Sequence, residues 1–172
     1  MKNLVTLIML IMILHANATS HQKDQALIEN TCKNTPNYNL CISVLRRSPG
    51  SATADVRGLS LIMVGAVKDK TKQAISAVNN VIKNRRHPDL SEGLQKCIEV
   101  YKTVVKYDVA EAVEALTKGD PKFAENGMAD AALEADTCER STGGLDKSPL
   151  TAVNRAVFDY ANVGRAIIRN LL

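Results

Sequence analysis

Three carboxylates, Asp108, Glu111 and Glu114, recur at three-residue steps, and carboxyl groups held close together are the equipment of glycoside hydrolysis. The same spacing on an amphipathic helix lines up a solvated face, and the alanines and valines around these residues describe such a helix. The three are therefore assigned to solvent, and no catalytic residue is named. Ser and Thr residues fall mostly at cap positions, and His87 falls in a helix-terminal loop. No nucleophile–base pair, metal site or glycine-rich phosphate loop can be assembled, so neither enzyme activity nor a cofactor is expected.

The four cysteines, Cys32, Cys41, Cys97 and Cys138, are the next reactive set. Neither a C-x-x-C pair nor a suitable histidine accompanies them, which argues against a metal. An even number in a chain bound for an oxidising compartment points to disulfides, with three possible pairings.

The third constellation is Lys118-Gly119-Asp120-Pro121-Lys122-Phe123. Lys118 suits a helix C-terminus, and Gly119 can take the left-handed conformation that ends one. Asp120 can cap a new helix with Pro121 at its first position, where the missing N–H costs nothing. The result is a stiff helix–helix corner with Lys122 and Phe123 at its tip. A cation and a ring held there suit a partner's pocket; the alternatives are an ordinary helix start and a Phe123 tucked under the corner.

Helices position all of these residues. Short helical patterns over Gln25–Cys32 and Tyr38–Arg47 flank the turn sequence Asn34-Thr35-Pro36-Asn37, and Cys32 and Cys41 stand on either side of it. After Ser48-Pro49-Gly50-Ser51 a long helix is expected over Thr53–Asn84, on Val56, Leu59, Met63, Val67, Ala74, Val78 and Val81. Leu61, Ile62, Ile75 and Ile82 widen its stripe. Lys83, Arg85 and Arg86 close it before Pro88 as a solvated basic end, with anion binding as the alternative. Asp89 and Glu92 form a capping box for a helix to Lys118, on Leu94, Cys97, Ile98, Tyr101, Val105, Ala112 and Leu116.

The helix from the corner to Cys138 has Met128, Ala131, Ala132, Ala135 and Cys138 as its inner set, with Gly127 weakening its first turns. Ser148 and Pro149 repeat the cap-and-proline device, and Leu150, Val153, Val157, Tyr160, Gly164, Ile167 and Leu171 form a seam to the end. Gly164 permits one close approach. No strand pattern appears. The fold class is all-α: an up-down four-helix bundle with a disulfide-stapled N-terminal α-hairpin. Local pairing, Cys32–Cys41 and Cys97–Cys138, respects that topology.

Residues 1–18 read as a signal peptide, with basic Met1-Lys2, an apolar run and the cleavage sequence Ala16-Asn17-Ala18. The mature domain is then 19–172, with no membrane span. The net charge of +4 is modest, aromatics make up 3% and tryptophan is absent, so nucleic acid is not an expected partner. With no extension beyond the last helix to act as a sorting tail, the expected residence is the apoplast, with the vacuole as the alternative.

The stretch Thr31-Cys32-Lys33-Asn34-Thr35-Pro36-Asn37-Tyr38-Asn39-Leu40-Cys41 resembles the first cysteine pair of the plant invertase and pectin methylesterase inhibitor family. Glu111-Ala112-Val113-Glu114-Ala115-Leu116, followed by Pro121-Lys122-Phe123, resembles its invertase-inhibitor branch, as does the ending Val163 to Leu172. The resemblance runs over the mature chain and implies the same fold and the same local disulfides. It also implies a 1:1 complex with acid invertase (β-fructofuranosidase), in which Pro121, Lys122 and Phe123 enter the substrate cleft. Inhibition of pectin methylesterase is the alternative, and a non-inhibitory helical module for small ligands ranks third. Association with invertase is expected to be tighter in mildly acidic than in neutral buffer, because both partners present carboxylates.

Overall fold

The computed structural model describes residues 25–84, 87–144 and 147–172. The expected signal peptide and the processed start at Thr19 lie outside the described residues, as do Arg85 and Arg86. Among the described residues the chain is helical and without strands. An N-terminal hairpin pairs α1 (25–33) with α2 (Tyr38–Arg47). Asn37 starts α2 by accepting the Leu40 N–H at 3.0 Å, and the Cys32–Cys41 disulfide closes the hairpin.

Four helical rods follow: α3 (Val56–Asn84), α4 (Ser91–Thr103) continued by α5 (Val109–Lys118), α6 (Pro121–Ser141) and α7 (Thr151–Ile168). Each rod packs on the next in sequence, and α7 returns to α3, so the four close a ring. That is the up-down bundle. Its core joins α3 residues Val64, Val67 and Val78 to Tyr101, Leu116, Met128, Ala135 and Val157. A second core sits under the hairpin, where Ile28, Cys32, Cys41 and Leu45 meet Leu59, Met63, Val163 and Ile167. The Cys97–Cys138 bond ties α4 to α6, so both local pairings are present.

Two glycines set how closely the rods approach. A Cβ on Gly127 would lie 2.6 Å from the Asp108 carbonyl oxygen, and one on Gly93 would lie 1.9 Å from that of Ser141. Gly127 is thus the point where α6 crosses the middle rod, not merely a weak spot in its own helix. A Cβ on Gly164 would lie 3.3 Å from Met63 Cγ and 3.4 Å from Met128 Sδ, so it too marks a close approach, as expected of it.

Local starts differ from the sequence reading in three places. The long helix begins at Val56 because Asp55 accepts the Gly58 N–H at 2.8 Å and caps it there. Asp89 caps nothing: Pro88–Leu90 forms a tight 3₁₀ turn, and α4 begins behind Leu90 with no side-chain cap. The last helix begins at Thr151, two residues beyond Pro149. Ser148 there accepts the Leu150 N–H at 3.1 Å and bonds the Thr142 hydroxyl at 2.6 Å, binding the loop to the end of α6. Ile82, placed in the stripe of α3, is 40% exposed.

The middle rod also carries a π-helical turn over Val104–Asp108. Asp108 lies on its inner side, buried, and its Oδ2 has no hydrogen-bond partner. Assigning it to a wet face with Glu111 and Glu114 was therefore wrong for Asp108 and right for the other two, which are exposed. The spacing carried the signal, since Asp108 is seven residues after buried Tyr101 and four before buried Ala112.

Candidate functional site

The corner between α5 and α6 forms as its residue types dictate. Gly119 ends α5 at φ 83°, in the left-handed region, and the N–H groups of Gly119 and Asp120 both donate to the Ala115 carbonyl. Pro121 opens α6 at its first position. Asp120 occupies the N-cap, but its side chain makes no capping bond, so the bend rests on the glycine and the proline. Lys118 reaches back to an ion pair with Glu114 on the outer face of α5.

At the tip the Phe123 ring is 53% exposed and borders a groove with Glu111, Glu114 and Lys118. It does not tuck under the corner. About half of its apolar surface therefore stays in water in the free protein, where it contributes nothing to folding. Lys122 is likewise exposed, but its ammonium is engaged 2.5 Å from Glu125 Oε2. The structure thus brings Pro121, Lys122 and Phe123 together on one turn. Cys97 on α4 and Cys138 on α6 join the two rods that meet at this corner, toward the rods' other end, while Cys32 and Cys41 serve the hairpin.

Glu125 is the residue that the sequence reading missed. Its side chain is 3% exposed, yet it meets three cations: Lys122 on Oε2, and on Oε1 the Nε groups of Arg165 at 3.0 Å and Arg169 at 2.8 Å. The Lys122 hydrogen bond, with those from Arg169 and Arg165, outweighs burial and lowers its pKa from 4.5 to about 2. The signal lay in its position three residues before Met128 and seven before Ala132, on the inner face of α6. Arg165 on α7 and Arg169 at its C-terminal cap, about one helical turn apart, are the matching pair.

A second buried carboxylate, Glu139, accepts from Thr151 Oγ1 at 2.6 Å and Asn154 Nδ2 at 2.5 Å. Tyr101 Oη donates to Asn154 Oδ1 at 2.6 Å, and burial, then Glu139, pushes that phenol upward. The set is fully partnered and locks α4, α6 and α7 together. It offers no free base or nucleophile. Among the described residues no group of three His, Cys, Asp or Glu side chains could hold a metal ion, and no helix is long and apolar enough to cross a membrane.

Comparison with known proteins identifies the family and the fold. Residues 26–167 match the plant invertase/pectin methylesterase inhibitor family. Over 142 residues the chain is 41% identical to the cell wall / vacuolar inhibitor of fructosidase 1 of Arabidopsis thaliana, covering 83% of this chain and 67% of that protein. It is 29% identical over 131 residues to a pectinesterase inhibitor of Actinidia deliciosa, covering 76% and 70%. The crystal structure of a mutant pectin methylesterase inhibitor from Arabidopsis superposes with a TM-score of 0.68 at 19% identity, over 80% of this chain and 92% of that one. The chain belongs to the plant invertase/pectin methylesterase inhibitor family.

Proposed function

We propose that this protein is an inhibitor of plant acid invertase, not a catalyst, and that it acts after passage through the secretory pathway. In this reading it forms a 1:1 complex in which Pro121, Lys122 and Phe123 occupy the enzyme's substrate cleft. The observation that carries the contact is the exposed Phe123 beside Lys122 on a corner stiffened by Gly119 and Pro121. The likeness to a fructosidase inhibitor supports the choice of target.

A retaining glycosidase holds two carboxyl groups close together at its reaction centre. An ammonium about 4 Å from one of them gains roughly 4 kcal/mol at an effective dielectric of 20, before the desolvation of both groups is subtracted. Phe123 would fill apolar space beside the ammonium, and Pro121 limits the entropy lost on docking.

The test is sucrose hydrolysis by acid invertase in the presence of wild type and of the double variant K122A/F123A. The variant is expected to lose inhibition while its helical content stays unchanged. Equal inhibition by both proteins refutes the contact. Running pectin methylesterase alongside separates the sister activity, since inhibition of that enzyme alone would move the target.

A further inference from the structure

Lys122 is required by the proposed contact, yet in the free protein it is already spent on Glu125. A carboxylate as buried as Glu125 is strongly destabilised when its partner is removed. Were Lys122 its only cation, drawing the ammonium into an enzyme would leave that charge stranded, and docking would be opposed by the inhibitor's own structure. The two oxygens of Glu125 are used differently, however. Among the described residues Lys122 is the one partner of Oε2, while Arg165 on α7 and Arg169 at its C-terminal cap both hold Oε1.

We propose that Arg165 and Arg169 make Lys122 a releasable cation: they keep Glu125 compensated while Lys122 leaves it for a carboxylate of the target enzyme. Glu125 is then a positioning residue that parks the ammonium at the tip, and the two arginines set how firmly it is parked. Three cations share one carboxylate, so the cluster keeps a surplus of positive charge and Lys122 can be withdrawn with the carboxylate still paired. The Lys122 side chain is 63% exposed, against 3% for Glu125, so the lysine is the mobile member of the pair. The arginine side chains, 36% and 54% exposed, differ from the lysine in route: they reach Glu125 from another helix, from positions 40 and 44 residues away in sequence, whereas Lys122 sits three residues from it on the same turn. The proposal rests on the reading that Lys122 docks in invertase.

The experiment compares inhibition constants against acid invertase at fixed pH for wild type, K122Q, R165Q/R169Q and R165Q/R169Q/E125Q, with melting curves as the folding control. In R165Q/R169Q the lysine is the last cation on Glu125, and inhibition is expected to weaken tenfold or more. Adding E125Q removes the charge that retains Lys122, and inhibition should return to within about threefold of wild type. A purely structural role for the arginines, or a direct contact between them and the enzyme, would not be relieved by E125Q. Unchanged inhibition by R165Q/R169Q, or weakening that persists in the triple variant, overturns the proposal. Full inhibition by K122Q identifies a different failure, that of the docking reading itself, and the proposal falls with it.

Discussion

Replacing Asp108 by Asn should free the protein's stability from one strong dependence on pH. Asp108 is 8% exposed on the inner side of the π-turn, and its Oδ2 is unpartnered. Burial first, then Asp130 and Glu134 on α6 and Glu111 on its own rod, raises its pKa from an ordinary 3.8 to about 6. Between those two values the folded chain holds a proton that the unfolded chain has released. The stabilisation is therefore complete below the unfolded value and is lost as pH rises through the folded one.

At about 1.4 kcal/mol per pH unit, the gap between 3.8 and about 6 amounts to at most about 3 kcal/mol. In a domain of this size that corresponds to roughly 6–12 °C in melting temperature. Asn has nearly the shape of the protonated acid and no charge to bury. Melting curves of wild type and D108N are expected to lie close together at pH 4 and to separate between pH 4 and 7, with the variant higher at neutral pH. Parallel curves across that range would refute the assignment of a buried, partnerless carboxyl to this site.

Other perturbations probe the rest of the frame. Gly93→Ala should prevent native packing of α4 on α6, because the added Cβ would stand 1.9 Å from the Ser141 carbonyl oxygen, a backbone atom; a native circular-dichroism melt would contradict it. Replacing Cys97 and Cys138 together by Ser should cost about 4 kcal/mol in urea unfolding, from the loop-closure entropy of the 41-residue separation they span. Glu125 predicts the opposite pH limb to Asp108. Its folded pKa is lowered, so its stabilisation is present above the ordinary 4.5 and is lost as pH falls toward 2. A Glu125→Gln variant should lack that acid limb in melting scans.

The fold was legible because its signals were periodic and chemically unambiguous. Gly119 and Pro121 specify the corner by backbone geometry alone, and Cys32–Cys41 and Cys97–Cys138 fall where short-range topology places them. The starts of α4 and α7 were misplaced for one shared reason. A cap residue in sequence has several possible bonding partners, and tertiary packing chose among them: Ser148 bonds Thr142 across the loop, and Gly93 fixes α4 against Ser141. The buried carboxylates were missed differently. Asp108 is placed on the surface by its type, and nothing in the types of Glu125 and Glu139 marks them out, although all three positions lie with the core. Position prevails where a buried carboxyl finds cations or keeps its proton: the arginine partners of Glu125 lie 40 and 44 residues away in sequence, and Asp108, unpartnered at Oδ2, has its pKa raised.

The two perturbed carboxyls together bear on where the corner can work. In mildly acidic solution Asp108 carries a proton, which relieves its burial at the π-turn, whereas Glu125 is still ionised and still holds its three cations. The bundle thus gains stability on entering the pH range of an acid invertase without losing the arrangement that positions Lys122. Because Glu125 titrates far below that range, its grip on the lysine is constant from pH 4.5 to 7. Asp108 acts on the stability of the rods and is not among the groups bonded to Lys122, so it offers no direct handle on the tip. Neither Glu125 nor Asp108 should therefore set a change in inhibition across that interval. Titrating inhibition against pH for wild type and D108N then gives curves of the same midpoint, and a shifted midpoint in the variant would place the sensor in the inhibitor instead.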